Sequence, residues 1–129
     1  MAHNPAGFKA LFQRVGTTYP HKKFRVLAAF SKGKDLQEIF SLLKKHARFV
    51  HLTSSPHARL CSVNEFPENE FFIHPSLERS FETVLTLAKE NNEGVIVCGT
   101  FFIMAEIKSF FKAYAVKEKE MELECVGSI

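Results

Sequence analysis

Three short apolar runs constrain this chain more than anything else in it: residues 24–30, 49–53 and 95–98, each followed by a polar or glycine-containing segment. Such runs are too short for buried helices, and apolarity sustained along a strand marks one covered on both faces, as in a parallel sheet. The stretches between them carry the spacing of amphipathic helices. Phe8, Leu11, Phe12 and Val15 predict a helix over 5–17, closed by Gly16 and Pro20. Leu36, Ile39, Phe40, Leu42 and Leu43 predict a second, capped by Asp35 and ending near 46. Pro75 and Ser76 open a third, with Leu77, Phe81, Val84, Leu85 and Ala88 inward and an end near 91. A fourth, to about 116, buries Ile103, Ile107, Phe110 and Phe111. Residues 71–74 read as another short strand, and 60–70 as a short helix or an irregular crossover. Alternation at 121–125 predicts an edge strand, which the pattern allows to run antiparallel; a solvated tail is the competing reading. Strands alternating with helices give an α/β fold: a doubly wound, mostly parallel sheet with helices on both faces.

With 129 residues there is material for one domain with a proper core. A net charge of +3, with the basic residues in pairs such as Lys22-Lys23 and Lys44-Lys45, forms no stripe interleaved with exposed aromatics, so no nucleic-acid partner is expected. Cys61, Cys98 and Cys125 are odd in number and far apart. They read as small buried residues of a reducing compartment, not as a disulfide framework. His21, His46, His51, His57 and His74 show no metal-ligand spacing, and no metal site is expected. No run approaches 18 apolar residues and no signal-peptide pattern opens the chain, so the reading is cytoplasmic, with no membrane partner.

Right-handed crossovers place every loop that follows a strand on one edge of the sheet, where open α/β sheets bind ligands. That edge collects residues 31–34, 54–59, His74 and Gly99-Thr100. The loop at 31–34 is basic but lacks the GxxxxGK[ST] signature of a P-loop. Arg59 can form a bidentate clamp on a carboxylate or phosphate. Gly99 permits close backbone approach, and the Thr100 hydroxyl stands at the start of the last helix. At the opening of the chain Asn4 suits an N-cap and Pro5 the first helical position, which leaves His3 just ahead of the positive end of a helix dipole. These residues make an anion-binding edge, and no Ser-His-Asp, Cys-His or paired-carboxylate set accompanies them.

The run Ala2-His3-Asn4-Pro5-Ala6-Gly7 before an amphipathic helix resembles the end of the DGAHNP motif of folylpolyglutamate and dihydrofolate synthases. Residues 95–107, a buried strand, Gly-Thr, an apolar stretch and a helix, are similar to that family's second C-terminal signature, and the Ala58-Arg59 loop stands where the family has a Pro-Arg-Ala type loop. The resemblance extends from Ala2 to about Phe111. It implies a Rossmann-like C-terminal domain of the Mur ligase superfamily, with residues 1–116 as the domain and 117–129 as its tail or edge strand. It further implies an ATP-dependent ligase that joins L-glutamate to a folate carboxylate through an acyl phosphate, releasing ADP and phosphate. The P-loop, the Mg2+ ligands and most folate contacts then belong to an N-terminal ATPase domain. By the same resemblance His3 contacts nucleotide phosphates or the reacting acyl group, Asn4 lines the nucleotide site, Thr100 takes the place of a serine that holds the incoming glutamate, and Arg59 lies in the same cleft. The Asp and Gly of the motif have no counterpart before Ala2, Met1 standing at the Gly position, and the strand that leads into the motif is absent as well. The isolated chain is therefore expected to be inactive, as a piece of a longer enzyme. The resemblance covers both the monofunctional synthase and the bifunctional enzyme that also makes dihydrofolate. Two other readings stay open: a stand-alone small-anion or nucleotide binding module on the same fold, and a Mur-group ligase for another amino acid.

Overall fold

The computed structural model describes residues 5–32, 36–55, 60–67, 70–99, 103–117 and 124–125. In chain order the elements are helix α1 (Pro5–Thr18), strand β1 (Phe24–Ala29), helix α2 (Gln37–His46), strand β2 (Phe49–Thr53), a single 3-10 turn (Val63–Glu65), strand β3 (Phe72–His74), helix α3 (Leu77–Glu90), strand β4 (Gly94–Gly99), helix α4 (Met104–Lys117) and strand β5 (Glu124–Cys125). The sheet order is β3-β2-β1-β4-β5, and every pairing is parallel.

Alternation along the central strands divides the core in two. Val26 and Ala28 of β1, Val50 and Leu52 of β2, and Ile96 and Cys98 of β4 face α1 and α2, where Phe8, Leu11, Phe12, Ile39 and Leu43 cover them. Leu27 and Ala29, with Val95 and Val97, face the other way and lie under Leu77, Phe81, Val84 and Leu85 of α3 and Ile103 and Ile107 of α4. Burying an aromatic such as Phe8 or Phe81 contributes about 2–3 kcal/mol each. Phe110 and Phe111 are only half-buried at the rim of this second core.

Local signals explain most boundaries. Ser76 caps α3, its hydroxyl accepting from the Arg79 N–H at 3.3 Å. The cap of α2 falls on Leu36 instead of Asp35: Leu36 makes no side-chain cap bond, but its carbonyl already accepts from the Phe40 N–H at 2.8 Å. Asp35 itself lies outside the described residues. Nor does Gly16 close α1; it sits inside the helix, two residues before its end. A methyl group there would touch nothing within 4 Å. Gly16→Ala is accordingly expected to stabilise the domain by about 0.5–1 kcal/mol, read as a rise in the thermal unfolding midpoint.

The C-terminal edge strand corrects one expectation. β5 runs parallel to β4, pairing Ile96 with Glu124 and Val97 with Cys125. A helix between neighbouring strands carries the chain back to the end from which it started, so the β4–α4–β5 crossover repeats the direction of β4. Alternation in so short a strand contains no information about direction.

Candidate functional site

Several chain segments meet at the carboxyl edge of the sheet. Helix α1 is antiparallel to β1: Phe8, in its first turn, packs on Phe30 just beyond β1 with ring centroids 6.2 Å apart, and Tyr19, past its last turn, meets Phe24 at the start of β1 at 5.8 Å. The amino end of α1, at Pro5, therefore shares the edge where β1 ends. β4 closes there too, with Gly99 beside Ala29. Gly99 has a φ of +104°, and a Cβ on it would collide with the Ala29 carbonyl oxygen, so only glycine lets the two strand ends run this close. The segment after β2 folds back over the end of β1: Ser31 bridges Leu60, the Cys61 N–H donates to the Phe30 carbonyl at 2.8 Å, and the Ser54 hydroxyl donates to the Cys61 carbonyl at 2.7 Å. From β1 the sheet extends to β2 and β3 on one side and to β4 and β5 on the other, which makes the β1–β4 boundary the switch point where a doubly wound sheet opens a crevice.

The four residues predicted from sequence to work in that crevice, His3, Asn4, Arg59 and Thr100, lie outside the described residues. Their described chain neighbours are Pro5, Leu60 and Gly99, and all three belong to this one edge. A cavity of about 280 Å³ lined by Lys44, Arg48, Phe49 and Phe71 opens at the amino ends of β2 and β3, the opposite edge, where Lys44 is already paired with Glu70 at 2.7 Å.

Sequence reasoning missed a buried polar chain on the α3 side of the sheet. Helix α3 ends in a Schellman turn: the Glu93 N–H donates to the Ala88 carbonyl at 2.8 Å and the Asn92 N–H to the Lys89 carbonyl at 3.3 Å, with Asn92 at a φ of 51°. This turn delivers the Glu93 carboxylate into the interior. Oε1 accepts from Arg25 Nε at 2.9 Å and pairs with Nη2 at 2.8 Å. Oε2, buried without a hydrogen bond, lies 3.4 Å from Arg48 Nε. The Arg25 guanidinium sits 4.4 Å over the Phe49 ring and contacts His51 Nε2 through Nη1 at 3.0 Å. His51 Nδ1 in turn lies 2.9 Å from His74 Nε2, and Phe72 stacks on the His51 ring at 4.8 Å. The signal available in sequence was Arg25 itself, a charge within an otherwise apolar strand.

Proton positions along this chain are dictated by Arg25, which can only donate. His51 Nε2 must accept, so His51 is neutral with its proton on Nδ1; that proton goes to His74 Nε2, which leaves the proton of a neutral His74 on Nδ1. Burial, then the neighbouring His74 and Arg25, bring His51 down to about 3, and burial lowers His74. An imidazole that protonates less readily in the folded state gives the unfolded chain more bound protons between the two values. Stability is thus fully present above about pH 6.5, the ordinary histidine value, and falls as pH drops toward 3. For His51 the expected slope is about 1.4 kcal/mol per pH unit, checked by urea unfolding across that range. Burial raises the thiols, Cys61 above its ordinary value and Cys98 to about 12, so these two cysteines stay protonated packing residues and not nucleophiles. Among the described residues no group of three or more His, Cys, Asp or Glu is placed to hold a metal ion, and no helix is long and apolar enough to cross a membrane.

No protein-family model matches the sequence, and no curated protein matches it. The fold does have solved counterparts. A crystal structure of Mycobacterium tuberculosis folylpolyglutamate synthase, complexed with ADP and AMPPCP, superposes with a TM-score of 0.67 at 17% identity over 94% of this chain. The chain has the fold of part of folylpolyglutamate synthase. A second structure of folylpolyglutamate synthase, complexed with ADP, agrees with a TM-score of 0.62 at 18% identity and the same 94% coverage. The chain spans 29% of the length of either folylpolyglutamate synthase chain.

Proposed function

We propose that this chain is the C-terminal domain of an ATP-dependent folylpolyglutamate synthase of the Mur ligase type, with residues 1–116 as the domain and 117–129 as its tail or edge strand. The observation that carries the reading is the fold shared with folylpolyglutamate synthase over 94% of the chain. The AHNP run that leads into α1 at Pro5 and the Gly99-Thr100 junction at the end of β4 support it.

In this reading the ATP γ-phosphoryl group passes to a folate carboxylate, giving an acyl phosphate and ADP. The amine of L-glutamate then attacks the acyl carbon, an amide forms and phosphate leaves. Such a reaction needs reactants held together and negative charge stabilised, not a covalent nucleophile on the enzyme. By the family resemblance His3 would contact the nucleotide phosphates or the reacting acyl group, Asn4 would line the nucleotide site, and Thr100 and Arg59 would hold the incoming glutamate. Mg2+ and the P-loop belong to an N-terminal ATPase domain, so the crevice is one wall of an interdomain cleft. Partners are that domain, ATP, folate and L-glutamate, in the cytoplasm.

Calorimetric titration of the 129-residue chain with ATP and with L-glutamate, alongside an ATP-turnover assay, tests this. Half a cleft is expected to hold neither ligand more tightly than millimolar and to hydrolyse no ATP. Micromolar binding or steady turnover would replace the reading with a self-sufficient binding module or enzyme.

A further inference from the structure

Strand β3 is a weakly held edge of the sheet: three residues long, with Phe72 half exposed and Ile73 and His74 only partly buried. Apart from its ladder with β2, it is held by Phe72 against the His51 and Phe49 rings, by Ile73 against the core on the α1 side, by the Thr53 hydroxyl donating to the His74 carbonyl at 3.0 Å, and by the His51–His74 bond. Only the last of these depends on proton occupancy, and it sits at the end of a chain anchored by a permanent cation.

The chain admits one arrangement of protons. A proton added to His74 at Nε2 would face the Nδ1–H of His51 with no acceptor between them. His51 cannot make way by moving its own proton to Nε2, because Arg25 Nη1 already donates there, and Glu93 holds Arg25 in place. Among the described residues no other group on the faces packed against these imidazoles can take up the charge. The buried face of α3 contributes Leu77, Ser80, Phe81, Val84, Leu85 and Ala88, none ionisable. β4 presents Val95 and Val97 to this side, and β2 adds Phe49 and Thr53. The one carboxylate of the chain, Glu93, is engaged by Arg25 and Arg48.

We infer that the Arg25–His51–His74 chain is a proton-sensitive latch that holds β3 on the sheet and releases it as pH falls. Opening takes up one proton for each imidazole that reaches solvent, so the opening equilibrium rises about tenfold per pH unit for one histidine and up to about a hundredfold for both. β1 and β4, at the centre of the sheet, stay closed while β3 opens.

Hydrogen exchange of the full chain between pH 6.5 and 4, corrected for intrinsic exchange rates, tests the latch. Amides of Phe72–His74 are expected to gain about tenfold or more in opening per pH unit and, at each pH, to open at least tenfold more readily than those of Phe24–Ala29, which exchange only through global unfolding. Equal opening equilibria in β1 and β3 across this range would overturn the latch in favour of global unfolding. In H51Q the amide oxygen accepts from Arg25 and the amide N–H donates to His74, so the polarity of the chain survives without a titrating group. In H51Q/H74Q the β3 slope is expected to fall below twofold per pH unit, and a slope kept at wild-type size would overturn the proposal. Should the double variant fail to fold, imidazole 15N spectra of the wild-type chain decide: both histidines are expected to carry their proton on Nδ1 at neutral pH, and an Nε2–H signal from either overturns it.

Discussion

Glu93→Ala is expected to lower the unfolding free energy by about 3–5 kcal/mol, the cost of leaving a buried charge without its partner. The loss is large because Arg25 and Glu93 side chains are 4% and 0% exposed, so the stranded guanidinium has no water to turn to. Glu93→Gln, which keeps shape and one acceptor, should lose less, because the guanidinium retains a hydrogen bond while losing its counter-charge. Arg25→Met strands two groups at once, the Glu93 carboxylate and the His51 Nε2 acceptor, and is expected to cost at least as much as Glu93→Ala. The double variant Arg25→Met/Glu93→Leu removes both charges and should regain a good part of the loss, short of wild type because His51 remains without its donor. Chemical unfolding of these four variants together with Glu93→Leu measures the coupling, and a Glu93→Ala midpoint equal to wild type would refute a buried, mutually dependent pair.

Gly99→Ala is the second large effect, and it acts on the carboxyl edge of the sheet itself. The new Cβ would meet the Ala29 carbonyl, part of the β1 backbone, which cannot rotate aside as a side chain would. The positive φ adds strain for any L side chain. Together these are expected to cost about 3 kcal/mol or more, or to force the ends of β1 and β4 apart. Thermal unfolding reads the first outcome, and loss of the β1–β4 amide protection at Ala29 and Gly99 reads the second. A Gly99→Ala chain with wild-type stability and protection would mean that the strand ends do not run as close as described.

What could be read ahead of the structure follows from how far each signal reaches along the chain. The helix faces of α1, α2 and α3 and the strands β1, β2 and β4 rest on spacing within one element, and Phe8, Leu11, Phe12 and Val15 are buried together as their period requires. Gly16 and Asp35 misled because a helix end is decided by competition between neighbouring turns, and the apolar contacts of Val15 and Leu36 outweighed the local stop and cap signals. The direction of β5 is a property of the crossover and not of its residues. Arg25 and Glu93 are 68 positions apart, and their pairing exists only once β1 and β4 lie side by side. The shared carboxyl edge was legible as topology, since loops after parallel strands share an edge whatever their sequence. His3, Asn4, Arg59 and Thr100 are proposed from residue type and place in the sequence, and of the segments they belong to the structure describes Pro5, Leu60 and Gly99 at this edge.

The central proposal is a glutamate ligase whose cleft is walled by this domain, and its most direct test is an assay of the longer protein in which the domain stands beside its ATPase partner. ADP release should depend on both a folate acceptor and L-glutamate and match amide formation one for one. His3→Ala should lower kcat by about a hundredfold, the effect of removing one donor to a developing negative charge, with no change in unfolding midpoint. ADP release indifferent to glutamate, or a His3→Ala protein with unimpaired turnover, would contradict it.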